Sequence, residues 1–233
     1  MLACPAMVRA QGPSDIGAAA AAVNAVKGTV DSRDRALKAG DRVFQREVIA
    51  TAADARAQLV FRDETSLTVG PGSSVTLDNF VYDPGRGAST STLNAARGVF
   101  RFVSGNMPSQ SYQVRTPAGS IGVRGTTFEL FVGVDGALTL YCTEGSIVFT
   151  MRNGQVVAVP AGSVLEIAPD GTTKLTTSLS SEQYRRLAPL RAFVQRRDGV
   201  DYLLDDADLF RDIRRRRIRP GPGGGYGGGG SYI

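Results

Sequence analysis

TFELFVGVDGALTLYC (residues 127–142) alternates on both sides of a turn. Phe128, Leu130 and Val132 share one side of the first run, and Leu138, Leu140 and Cys142 are in step in the second. A period of two is the mark of a half-buried β-strand. Between the runs, Asp135-Gly136 supplies the positive φ that a tight turn needs. Cys142 therefore reads as a small buried hydrophobe, not as a reactive thiol.

The same pattern extends in both directions. AQLVF (57–61), SLTV (66–69), SVTL (74–77), GVFRFV (98–103), SIVFT (146–150), QVVAV (155–159) and SVLEIA (163–168) are short runs rich in branched or aromatic residues. Turn signals recur after 127–142 at Glu144-Gly145, Asn153-Gly154, Ala161-Gly162 and Asp170-Gly171, so that the glycines from 136 onward stand 9, 9, 8 and 9 apart. Each unit is one strand plus a turn. The expected fold is all-β, made of stacked short strands, either solenoid-like or a sandwich.

The flanks differ. Residues 1–27 read as the remnant of an export signal followed by an Ala-rich lead, and IGAAAAAVNAV (16–26) has helix-forming composition. Val8-Arg9-Ala10 before Gln11 suits a signal-peptidase cut, although the charged and apolar regions of a full signal are missing; Leu2-Ala3-Cys4 is the weaker lipoprotein alternative. Residues 28–176 form the expected β domain. In the extension 177–217, Ser180 with Gln183 makes a capping box, Leu187, Leu190 and Val194 share a helical face, and a second short helix is expected at 204–217. The Gly-rich tail 218–233 has too little apolar surface to order itself.

Composition narrows the chemistry. The 233 residues include no histidine and two cysteines, Cys4 and Cys142. That removes the usual general base, the commonest zinc ligand, any Ser-His-Asp or Cys-His arrangement and any disulfide framework. The carboxylates are scattered through turns and strand ends, and neither an enzyme nor a cofactor or metal is expected. GSIGVRG (119–125) and TVGPGSS (68–74) are followed by strands, so neither presents the helix N-terminus of a phosphate loop. No run of apolar residues is long enough to span a membrane.

The formal net charge of +5 is local. FRDIRRRRIR (210–219) carries that whole excess, and the rest of the chain balances to zero. Arg214, Arg215, Arg216, Arg217 and Arg219 are the candidate polyanion-binding residues, for a wall polymer or peripheral anionic lipid. The alternative is a solvated helix end. Without interleaved aromatics, nucleic acid is not an expected partner.

Longer stretches carry a resemblance. Gly40-Asp41, Thr51 and FRDETS (61–66) are similar to the opening of the FecR domain. GVFRFVSG (98–105), VRTPAGSIGVRGTTFEL (114–130), EGSIVF (144–149) and PAGSVLEI (160–167) resemble its later segments, over about 28–168 in all. The resemblance implies an all-β extracytoplasmic domain, solenoid-like, that relays a signal from an outer-membrane transporter toward a sigma factor in iron-siderophore systems. Those members carry a cytoplasmic anti-sigma segment and a transmembrane helix first; neither is read ahead of Gly28. The expectation is therefore a periplasmic or secreted interaction module whose partner is an envelope protein or wall polymer. The alternative is a structural or adhesive protein tethered through its arginines.

Within the resemblance, Arg124, Gly125 and Thr126 form the structural signature. Unbroken alternation from Ile121 would put Arg124 on the face of Phe128 and Leu130, where an isolated charge is costly. Either Gly125 marks a bulge that resets the phase, or Arg124 is buried and fully paired. On both readings Arg124 is framework, and Arg124→Ala is expected to lower stability more than binding.

Overall fold

The computed structural model describes residues 14–83 and 89–190, and the backbone of 194–197 and 200–203. The chain divides into two units, Met1–Leu203 and Leu204–Ile233, and every described residue lies in the first. The expected second helix at 204–217, the arginines 214–217 and 219, and the tail 218–233 lie outside the described residues, as does the export motif before Gln11.

The described chain is all-β with one short helix. Its strands in chain order are β1 (Asp15–Val23), β2 (Val26–Val30), β3 (Arg33–Ala36), β4 (Arg42–Phe44), β5 (Val48–Thr51), β6 (Arg56–Phe61), β7 (Ser66–Val69), β8 (Ser74–Val81), β9 (Thr90–Val103), β10 (Tyr112–Arg115), β11 (Gly119–Val132), β12 (Leu138–Met151), β13 (Val156–Pro160), β14 (Val164–Ile167) and β15 (Thr173–Thr176). Hydrogen bonding links all 15 into one sheet. A separate hairpin joins β16 (Val194–Arg197) and β17 (Val200–Leu203).

Three long strands fold that sheet into two layers. The first half of β9 pairs with β8 and β10, and its second half with β7 and β11. The first half of β11 pairs with β10 and the second with β9. The first half of β12 pairs with β14 and the second with β13. The front layer therefore runs β15-β14-β12-β11-β9-β7-β6-β1-β4, and the back layer β13-β12-β11-β10-β9-β8-β5-β2-β3. Pairing is antiparallel throughout these layers except between β9 and β10. This is a sandwich with strands that switch layer at corners, not a coil of parallel rungs.

The layers meet through their inward alternates. Phe61 of β6 stacks on Phe80 of β8 at 5.6 Å between ring centres. Phe102 of β9 lies on Phe128 of β11 at 5.2 Å and meets Tyr112 of β10 edge-on at 5.8 Å. Phe100, Leu130, Leu140, Ile121, Ile147 and Phe149 complete the centre of one buried cluster. Cys142 is part of it, and burial pushes its thiol pKa up, as for an inert core residue.

Three expectations change here. Val194, expected on the helical face of Leu187 and Leu190, lies in strand β16. The Ala-rich lead is not helical. Residues 15–23 form β1, paired with β6 and β4, so the sheet begins ahead of residue 28. Alanine's small size is what this position requires: a Cβ on Gly17 would lie 2.4 Å from the Val60 carbonyl oxygen, and Ala19 and Ala21 are buried between strands. Tertiary packing overrides a modest helix propensity. Glu144-Gly145, expected as a turn, is a corner inside the single strand β12. Gly145 has φ +73 and bends the strand across the layers without ending it.

The capping box is in place. Ser180 Oγ accepts from the Gln183 backbone N–H, and the Gln183 side chain accepts from Ser180 N–H, opening α1 (Ser181–Leu187). Leu187 and Leu190 then pack on Val99, with Phe131, Tyr141 and Leu179 around them, covering the outer side of the front layer. Arg186 lies over the Phe131 ring, and Gln183 Nε2 donates to Glu166.

Candidate interaction face

The corner of β11 settles the phase of its motif. Ile121 and Val123 face the core, then the register with β12 slips between Arg124 and Thr127, and Phe128, Leu130 and Val132 face the core again. Gly125 sits at the slip with φ +56, a conformation that costs a side-chain-bearing residue strain. Gly145 lies against it, where a Cβ would stand 2.2 Å from the Gly125 carbonyl oxygen. Thr126 is buried and ties β11 to β12 and to the connection after β9: its hydroxyl donates to Ser146 O at 2.9 Å and accepts from Arg124 N–H at 3.0 Å, while its N–H donates to Ser104 Oγ at 2.9 Å.

Arg124 itself is exposed, and its guanidinium has no partner among the described residues. The buried alternative for Arg124 is thereby excluded. The bulge turns its side chain to the outside of the back layer, next to Ser146, its register partner on β12.

That outer surface is exposed or half-buried from β13 to β10, with several small residues, and becomes buried at Thr92 of β9. Register places Ala158, Val148, Gly122, Gln113 and Thr92 in one row across β13, β12, β11, β10 and β9. The next row holds Val156, Thr150, Ser120, Arg115 and Asn94. Arg115 reaches Asp78 at 3.7 Å, a solvent-exposed pair of little weight. Arg124 is an uncompensated cation beside the rows. The front layer's outer side, by contrast, carries α1.

Among the buried carboxylates, Asp63 and Glu47 serve the framework. Asp63, fully buried, accepts from Thr65 N–H and Oγ1 and from Tyr112 Oη at 2.7 Å. Tyr112 in turn accepts from Met107 N–H, and Asp63 O accepts from Asn106 N–H, so the cluster fastens the 104–111 connection. Burial, followed by its hydrogen bonds with Asp63 as acceptor, raises the Tyr112 pKa well above the usual tyrosine value. Glu47, also fully buried, accepts from Arg35 Nε at 2.9 Å and Nη2 at 2.8 Å and from Phe44 N–H at 2.9 Å. Sequence reasoning, which left the carboxylates scattered through turns and strand ends, missed both clusters. The Asp63-Thr65 spacing signals an Asx turn; nothing local signals the Glu47 pairing, whose partner comes from another hairpin.

No catalytic constellation forms from these groups. The small void among Leu67, Val75, Leu93, Phe100, Phe128 and Leu130 is lined by apolar side chains alone. Among the described residues no cluster of His, Cys, Asp and Glu could hold a metal ion, and no helix is long and apolar enough to cross a membrane.

Comparison with known proteins adds the family. Residues 47–148 match the model described as FecR protein, a span running from the buried Glu47 through the Thr126 corner to the middle of β12. Over that span the chain is similar to the FecR domain. No curated protein matches it. Two solved structures from Parabacteroides distasonis, each described as a candidate anti-sigma factor, are similar. One is 15% identical with a TM-score of 0.45, covering 55% of this chain and 58% of its own. The other is 14% identical with a TM-score of 0.49, covering 73% and 74%. The chain thus spans little more than half the length of the first. β1 to β4 and β13 to α1, which flank the FecR match, add strands at both margins of the sandwich.

Proposed function

We propose that this chain is a non-enzymatic, extracytoplasmic interaction module of the FecR kind, in periplasm or secreted, that docks an envelope protein on the outer face of its back layer. The observation that carries the reading is the asymmetry of the sandwich. One outer side is covered by the chain's own helix, while the other is a flat surface of Gly122, Ser120, Val148 and Ala158 bordered by the unpaired Arg124. Small side chains let a partner approach the sheet closely, and the exposed Arg124 guanidinium supplies direction toward a carboxylate. Asp63 and Glu47 are committed to the framework. A role in signal relay follows the FecR match; the export motif at 8–10 supports the location.

The test is capture from envelope extract with purified chain. The expected result is saturable, stoichiometric capture of one protein, lost with Arg124→Glu and with Val148→Lys, and kept when 211–233 is deleted. Salt-sensitive binding to wall polymer or anionic vesicles that disappears on deleting 211–233, with no protein captured, would replace this reading with the tethered envelope protein.

A further inference from the structure

The sandwich has two lateral margins, and they are built differently. At one, β3 and β4 carry Arg33, Asp34, Arg35 and Arg42 within seven residues of edge strand. Three of these charges are engaged: Asp34 with Lys27 at 3.0 Å, Arg42 with Asp15 at 2.8 Å, Arg35 with Glu47. Charged, short strands are the ordinary protection of a sheet edge. At the opposite margin, β13 reads VVAVP with no charge, and β15 reads TKLT with one.

The apolar side chains of that second margin are uncovered. Val156 is 60% exposed and Leu175 48%. Leu175 is the register partner of Leu165, a core residue, so it points inward from the front layer yet reaches solvent where the layers part. Val157, on the inner side of β13, is only partly buried.

The backbone of β13 is open as well. At the two ends of the β12–β13 pair, Met151 N–H donates to Gln155 O at 2.8 Å and Ala161 N–H to Gly145 O at 3.1 Å. Odd-numbered residues of β13 therefore turn their polar groups toward β12. The alternation of an antiparallel ladder turns the N–H and C=O of Val156 and Ala158, and the C=O of Pro160, to the free side. Among the described residues β13 pairs with β12 alone.

We propose that β13 is a homodimerisation edge: two copies of this chain pair β13 antiparallel about a twofold axis and join their back layers into one sheet. The occupant is a second copy because an uncharged strand set antiparallel against itself brings no like charges together, and the half-covered Val157 and Leu175 of each copy face the same residues of the other. The charged β3–β4 margin stops further addition, so the assembly closes at two. This inference rests on the free backbone edge of β13, whose Val156 and Ala158 side chains border the partner-docking face, and it needs no occupant on that face.

Analytical ultracentrifugation of the full chain over a wide concentration range tests it, alongside Ala158→Pro. Proline at 158 removes an outward N–H and no bond to β12, so the melting temperature should hold while the dimer dissociation constant rises at least tenfold. Val156→Asp, which alters an exposed side chain and no backbone group, should weaken association to a similar extent and decides the matter if Ala158→Pro lowers the melting temperature. A wild-type chain that stays monomeric at every concentration overturns the proposal. So does a dimer that both variants leave intact.

Discussion

Arg124, Gly125 and Thr126 divide the work of one corner unevenly. Gly125 supplies the φ, Thr126 the hydrogen bonds, and Arg124 only its backbone N–H. The stability once expected of the Arg124 side chain therefore belongs to its neighbour. Thr126→Val keeps the volume, leaves Ser146 O and Arg124 N–H without their partner, and should cost about 1–3 kcal/mol in urea unfolding. Arg124→Ala should stay within about 0.5 kcal/mol of wild type; the reverse ranking would contradict this assignment. Tyr112 gives a second test at this scale. Its pKa is raised in the fold, so its contribution is full below the unfolded tyrosine pKa of about 10 and falls as pH rises past it. Tyr112→Phe should unfold more easily at pH 7, for want of the bond to Asp63, yet lose less stability than wild type between pH 9 and roughly 11. Parallel pH profiles for the two chains would refute that link.

At the scale of elements, alternation made β6, β7, β13 and β14 legible to within a residue or two, because each crosses one layer once. It fell short where a strand crosses both. β12 read as two strands with a turn at Gly145, since a positive-φ glycine looks the same in sequence whether it reverses the chain or bends it. β1 was hidden because alanine leaves almost no periodic contrast, and β10 because Tyr112–Arg115 is short and its pairing with β9 is remote in sequence. The helix α1 was readable from its capping box; what it covers was not. Leu187→Ala, at a fully buried position, should cost about 2–5 kcal/mol locally. Hydrogen exchange should then show 181–190 losing protection while β11 and β12 keep theirs. Equal loss across all of them would mean the helix and sandwich unfold as one.

For the molecule, the described unit is a sandwich, similar to FecR protein over 47–148, with one outer side closed by α1 and the other left open by the described residues. Sequence reached the all-β class and the family through local patterns such as VRGT and the repeated turn glycines. It could not reach the open face, which exists only once register lines up Gly122, Val148 and Ala158 from three strands. The reading of this chain as a docking module rests on that face. In-cell photo-crosslinking tests it, with the probe placed in turn at Val148 on the face and at Val134 on an exposed turn away from it. The account predicts a discrete adduct with one other envelope protein from position 148 and none from 134. No adduct from 148, or the same adducts from both positions, would contradict it.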